Sequence, residues 1–313
     1  MNTNTKHIPT DKQNTDIVIK LCGGLGNQMF EYAFGRALAL SRKTNVKFDY
    51  SWFDEVKRQN KVTIRHYELK AYNLTAPAAD NAECQKLKHN KFFQKILPAF
   101  LYKKLYKKGW LPTNLQKEKN TGIFQPDLLQ ARLPAYFEGY FQCEKYFEKY
   151  RPQILQDFSL KIPLNDANRK ILSSINQTNS VSLHIRRGDY VNNARANAAH
   201  GLCSLTYYQN AMDNIASQIQ NPHFFIFSDD LDWAARNLKP EYPFTLVDIN
   251  TAETGYFDMF LMSRCKHNII ANSSFSWWGA WLNQNPEKIV IAPKKWNNSG
   301  ISSAILCDGW IKL

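Results

Sequence analysis

The chain lacks any apolar run near the roughly 18 residues that a membrane-spanning helix requires. Its polar opening, Met1 to Asn14, has no apolar core of a secretory signal. Residues 1–14 read as a disordered N-terminus, and the protein is expected in the cytoplasm. Six scattered cysteines (Cys22, Cys84, Cys143, Cys203, Cys265, Cys307) make no C-x-x-C pair and no His/Cys cluster. That spacing argues against a zinc site and against a disulfide framework, so reduced thiols are expected. Low-complexity repeats are missing. Acidic residues are nearly missing from one stretch: between Lys86 and Lys119 ten lysines face a single carboxylate, Glu118. That segment carries most of the net charge of +13.

What is present is a chain of 313 residues, 44% hydrophobic and 13% aromatic, enough for two domains with cores of their own. A strand over 16–21 leads into the turn Gly23-Gly24-Leu25-Gly26-Asn27-Gln28. A helix over 28–40 and a strand over 45–49 follow, which together make an opening βαβ unit. Glycines at such a turn let backbone N–H groups approach an anion or a sugar hydroxyl. Gly24-x-Gly26 with Asp49 downstream imitates a dinucleotide fingerprint, but Met29 stands where the third glycine belongs, so a nicotinamide or flavin is not expected.

In the lysine-rich stretch Pro98 separates two short amphipathic helices. In the first, Phe92, Phe93, Ile96 and Leu97 oppose Lys88, Lys91 and Lys95; in the second, Leu101, Tyr102, Leu105 and Tyr106 oppose Lys103, Lys104, Lys107 and Lys108. Their apolar faces suit either the protein core or an anionic membrane surface. A charged, helix-like stretch from Cys143 to Phe158 links the halves. Beyond it, strands at 181–185, 223–227, 244–247, 268–271 and 288–291 alternate with helices at 205–218, 231–238 and 256–265.

Three strand ends of this second half carry polar groups. The first runs from His184 through Arg186, Arg187 and Asp189; the second is Ser228-Asp229-Asp230; the third is Asn272-Ser273-Ser274, opening a helix at Phe275. In a parallel sheet all three face one crevice, where a guanidinium and helix amides suit a pyrophosphate. Adjacent arginines in a strand point to opposite faces, so one meets the ligand and the other braces it. Taken singly, the arginines also fit surface ion pairs, and the serines and aspartates fit helix caps.

The blocks Gly23–Phe30, His184–Tyr190 and Leu261–Gly279 resemble the bacterial α-1,2-fucosyltransferases of glycosyltransferase family eleven, in order along the chain from about Ile17 to Trp296. The resemblance implies a GT-B-like α/β fold, two Rossmann-like doubly wound domains facing across a cleft. On that reading residues 15–158 form the acceptor-side domain with a basic helical insert at 86–119, and residues 159–313 bind GDP-β-L-fucose. The implied activity is that of an inverting galactoside α-1,2-fucosyltransferase, acting on a galactose-terminated oligosaccharide or a lipid-linked glycan. GDP-fucose is a co-substrate, and neither a cofactor nor a metal is expected.

By the same resemblance Arg187 meets the β-phosphate with Arg186 in support. Asp258, fourteen residues before Asn272, meets guanine. Ser273 and Ser274 meet the phosphates, and Asn27 lies near the sugar. Gly24, Gly26, Ser228, Asp229, Asn272 and Phe275 complete the donor site. Asp189, His184, His200 and Glu31 all remain open as the base. Two rivals stand beside this reading: a transferase using another sugar nucleotide, and a basic, non-catalytic binder of polysaccharide or nucleic acid. Nucleic acid is not the expected partner; peripheral contact with the anionic inner membrane is.

Overall fold

A computed structural model of the chain describes residues 17–59, 65–89, 91–108, 110, 111, 113–188, 191, 197, 198, 201–238, 240–298 and 304–313. The expectations for residues 1–14, Asp189 and His200 lie outside them.

The N-terminal elements are β1 (Ile17–Lys20), α1 (Leu25–Arg42), β2 (Val46–Asp49), α2 (Ser51–Gln59), α3 (Asn81–Lys88), α4 (Lys91–Ile96), α5 (Ala99–Lys107), β3 (Leu115–Lys117), β4 (Ala135–Glu138) and α6 (Arg151–Asp157). Their four strands form a parallel sheet in the order β2-β1-β4-β3. Its central strand β1 is covered by α1, whose long, almost wholly buried sequence reflects packing on both the sheet and the second half.

The C-terminal elements are α7 (Asp166–Asn176), β5 (Asn179–Ile185), α8 (Leu205–Ala216), β6 (Pro222–Ser228), α9 (Leu231–Asn237), β7 (Phe244–Leu246), α10 (Gly255–Arg264), β8 (His267–Ile269), α11 (Ser274–Leu282), β9 (Val290–Ala292) and β10 (Ile311–Lys312). The six strands are parallel in the order β10-β9-β8-β5-β6-β7. Counted from β5, this is the Rossmann order, with the chain reversing direction across the sheet between β5 and β8. The architecture is the expected GT-B-like pair of parallel α/β units.

Two expectations for local structure change. The stretch 143–158 is not one helix but two 3-10 turns followed by α6, because Pro152 lacks the N–H needed to continue a helix and is accommodated only in a helix's first turn. The lysine-rich segment is not helical to its end, since β3 adds an edge strand to the first sheet.

The halves meet through α11. Trp277, Trp278 and Trp281 are at most 2% exposed. Phe30 of α1 lies 4.4 and 5.0 Å from the rings of Trp277 and Trp278, and Phe147 stacks on Trp278 at 5.5 Å. Each indole N–H is satisfied: Trp277 donates to the carbonyl of Ile305, Trp278 to that of Gly26 at 3.0 Å, and Trp281 to Glu144. A buried tryptophan therefore keeps its dispersion contacts without leaving a polar atom stranded. One continuous core runs from β1 to Cys307 as a result.

At Gly26 the two backbones touch. A Cβ there would sit 2.5 to 2.7 Å from the carbonyl of Ser274 and the nitrogen of Phe275, atoms that cannot swing aside. Gly26→Ala should therefore destabilise the protein by about 1–3 kcal/mol, lowering the thermal midpoint by several degrees. An unchanged melting curve would show that the halves are not held in this contact.

Candidate active site at the junction of the two sheets

The strand ends beside both topological reversals converge here. From the first sheet come the turn after β1 and the residues after β4; from the second, the residues after β5 and β8. Ligands of open parallel sheets bind at this position because strand carboxyl ends diverge there and leave a crevice.

Strand β5 sorts its side chains by alternation. Val181, Leu183 and Ile185 enter the core beneath α8, while Ser182 and His184 face the other way, toward Asn268 and Phe275. Two residues beyond His184, Arg186 continues the Phe275 side and pairs with Asp229 at 2.8 Å. Arg187 continues the Ile185 side: its guanidinium lies 3.9 Å from the centre of the Trp233 ring and its Nε donates to Asp230 at 3.1 Å. Stack and ion pair together fix Arg187 against α9.

His184 is 5% exposed, its ring 5.4 Å from that of Phe275. Burial, opposed by the charge of Asp229 and reinforced by Arg186, pushes its pKa down to about 4, so it is neutral at physiological pH. Its Nδ1 is buried and has no partner among the described residues.

Several residues expected at the donor site also hold the scaffold. Ser228 accepts from the backbone N–H of Asp230, which in turn caps α9 through Trp233. Asp229 accepts from the backbone N–H of Arg187 as well as from Arg186, so it orients the arginine pair; a second anion beside it would be repelled. Asn272, 4% exposed, donates to the carbonyls of Gly201 and Trp296. Ser273 caps α11 through the N–H of Phe275. Short polar side chains at strand ends satisfy backbone groups first, which is why these positions tie loops down.

On the opposite wall, Asn27 accepts from Gln142 at 2.9 Å, which turns its amide N–H group toward Gly23. Gln28, fully buried, clips a neighbouring segment onto the glycine turn: it donates to the carbonyls of Gly23 and His66 and accepts from the N–H of Glu68 at 2.9 Å. This places Arg65 over Gly24, its guanidinium 3.7 Å from where a Cβ would stand. Arg65, Glu68, Gln142 and Trp233 were not singled out from the sequence, because each reaches the site through a contact distant in sequence with no motif around it.

Asp258 in the first turn of α10 accepts from Asn250 at 2.7 Å. Burial raises its pKa to about 6, the Asn250 hydrogen bond opposing. A Cβ on Gly255 of the same turn would lie 3.6 Å from the Phe275 ring, so the turn that carries Asp258 packs close to the start of α11.

Glu31 is removed from the candidate bases. It is fully buried, and its carboxylate accepts from both the N–H and the thiol of Cys22. Burial holds its pKa far above the usual carboxylate range. No acceptor hydroxyl reaches that position.

The profile of Glycosyl transferase family 11 matches residues 85–313. The O-antigen biosynthesis glycosyltransferase WbnK of Escherichia coli is 34% identical over 94% of this chain and 99% of its own length. An alpha-1,2-colitosyltransferase of Escherichia coli is also 34% identical, over 95% and 98% of the two chains. The galactoside 2-alpha-L-fucosyltransferase SEC1 of Bos taurus is 29% identical, over 46% of this chain and 41% of its own. Among solved structures, POFUT1 in complex with GDP superposes with a TM-score of 0.48 at 13% identity, over 90% of this chain and 98% of that one. With its family model and two relatives at 34% identity over most of their length, the chain belongs to glycosyl transferase family 11.

Proposed function

We propose that the protein transfers L-fucose from GDP-β-L-fucose to the 2-hydroxyl of a terminal galactose, with inversion, forming an α1,2 linkage. The observation that carries the reading is Arg186, just past the end of β5, paired with Asp229 and two residues beyond His184, whose ring packs 5.4 Å from that of Phe275 in α11. A guanidinium held by Asp229 and oriented amides stabilise charge as it builds on the departing β-phosphate. Nothing needs to reorganise at the moment of bond cleavage.

This reading reverses the roles that the resemblance implied for the arginine pair. Arg187 lies against Trp233 and Asp230 of the α9 side, so it braces, and Arg186, oriented by Asp229, meets phosphate. Ser274 lends backbone amide rather than a hydroxyl cage, His184 offers its unpartnered nitrogen to the donor, and Asp258 accepts from guanine N1 and N2. Asn27 points its amide at the sugar. Because an alpha-1,2-colitosyltransferase is among the relatives, a colitose nucleotide is the second donor to compare.

Incubation with GDP-fucose, GDP-colitose and a panel of β-galactosides, followed by linkage analysis, tests the reading. An α1,2-fucosyl galactoside is the expected product; turnover with colitose alone, or another linkage, contradicts it. In the same assay Arg186→Ala should lower kcat/KM by about 10²-fold or more, and Arg187→Ala should lower stability first. A larger catalytic loss in Arg187→Ala at native stability would restore the original assignment.

We further propose that the lysine-rich helices rest on an anionic bilayer that presents lipid-linked acceptor. The apolar side of α5 is used by the protein, with Tyr102 7% exposed and bonded to His89. Phe100, however, is 74% exposed on the side of Lys103, Lys104 and Lys107, and Ile96 and Trp110 are 56% and 68% exposed. Exposed aromatics among lysines suit a lipid headgroup layer, where each lysine contributes on the order of 1 kcal/mol. Vesicles rich in phosphatidylserine should pellet the protein at low salt and release it at high salt. Changing Lys103, Lys104, Lys107 and Lys108 to Gln should abolish pelleting; equal pelleting of both proteins rejects the contact.

A further inference from the structure

None of the described candidates can serve as the base: His184 is too weakly basic, and Glu31 is sealed in the core. The opposite wall holds a carboxylate that no motif announced. Glu68 sits on the segment that Gln28 clips to the glycine turn, and its side chain accepts from the backbone N–H of Leu25, the first residue of α1. An orphan helix amide that was free in principle to bind a phosphate is therefore already taken by an anion. The first-sheet wall of the crevice carries a half-buried carboxylate, while the second-sheet wall carries Arg186 and the amides of α11. The two walls touch at Gly26 and Ser274.

We infer that Glu68 is the group that takes the proton from the acceptor hydroxyl. The inference rests on the transferase reading above and deepens it. Inversion requires the nucleophile to arrive on the face of the anomeric carbon opposite the leaving group, so the proton acceptor and the phosphate site must stand on opposite walls. In the transfer, the acceptor oxygen forms a bond to C1 as the bond from C1 to the β-phosphate oxygen breaks. The electron pair leaves on GDP, and the hydroxyl proton passes to the Glu68 carboxylate, which then loses it to water.

The surroundings of Glu68 suit this work. Burial pushes its pKa up to about 7, opposed by Arg65, the Leu25 amide and Lys70. Among the described residues of α1 it meets the Leu25 backbone amide and neutral Gln28, and Tyr72 of its own segment, whose hydroxyl pKa burial raises, stays un-ionised beside it. A carboxyl with such a pKa is ionised above neutrality and is basic enough to accept a proton late in the transition state.

The test is the pH dependence of kcat/KM for the galactoside at saturating donor, a condition under which donor binding through Asp258 does not contribute. The wild type should show activity rising with pH through about 7. Glu68→Gln should lose about 10²-fold or more in kcat, lose that rising limb, and keep its affinity for GDP and its melting temperature. Glu68→Asp should retain the limb at reduced rate. If Glu68→Gln keeps near-full activity, or keeps the limb while Asp189→Asn removes it, the inference is overturned. A wild type without transfer from any GDP-sugar would instead sink the transferase reading on which it rests.

Discussion

The packing of Trp277 and Trp278 of α11 against α1 sets the position of everything else in this protein. Two parallel sheets could meet at many angles, but Phe30, Trp277 and Trp278 interlock at centroid distances of 4.4 to 5.0 Å and leave little freedom. That interlock also delivers the indole N–H of Trp278 to the carbonyl of Gly26, so the core contact and the rim of the crevice are one structure. The separation between the walls is set by aromatic packing rather than by a hinge.

On this frame the charges divide. The second sheet carries the arginine pair, held by Asp229 and Asp230, while the first-sheet wall sets Arg65 over Gly24. Each pair is only partly exposed, so removing an aspartate would leave a guanidinium without its orienting partner. The first sheet presents a carboxylate and amide groups, chemistry suited to hydroxyls.

Much of this was legible in the sequence, for reasons that can be named. The β1–α1–β2 unit and the strand at β5 announce themselves through alternation and helical periodicity, and polar residues at a strand end mark a ligand crevice. The capping and loop-tying bonds of Ser228, Asp229 and Asn272 were not legible, because the sequence does not show which backbone group lies within reach of a short polar side chain. The choice between Arg186 and Arg187 depended on where Trp233 of α9 would fall. Pro152 could have warned that 143–158 is not a continuous helix. Glu68 lay beyond any such reading. Its role depends on Gln28 reaching across forty residues to its backbone, and on burial that raises its pKa.

The central claim is that the second sheet, through Arg186, holds the terminal phosphate of the donor. Calorimetric titration of GDP and GMP into the wild type and into Arg186→Ala addresses it without any turnover. A charge-assisted contact to the β-phosphate makes GDP bind about ten- to hundredfold tighter than GMP in the wild type, and that advantage should vanish in the variant. Equal affinities for the two nucleotides in the wild type, or an advantage that survives the loss of Arg186, would contradict the account.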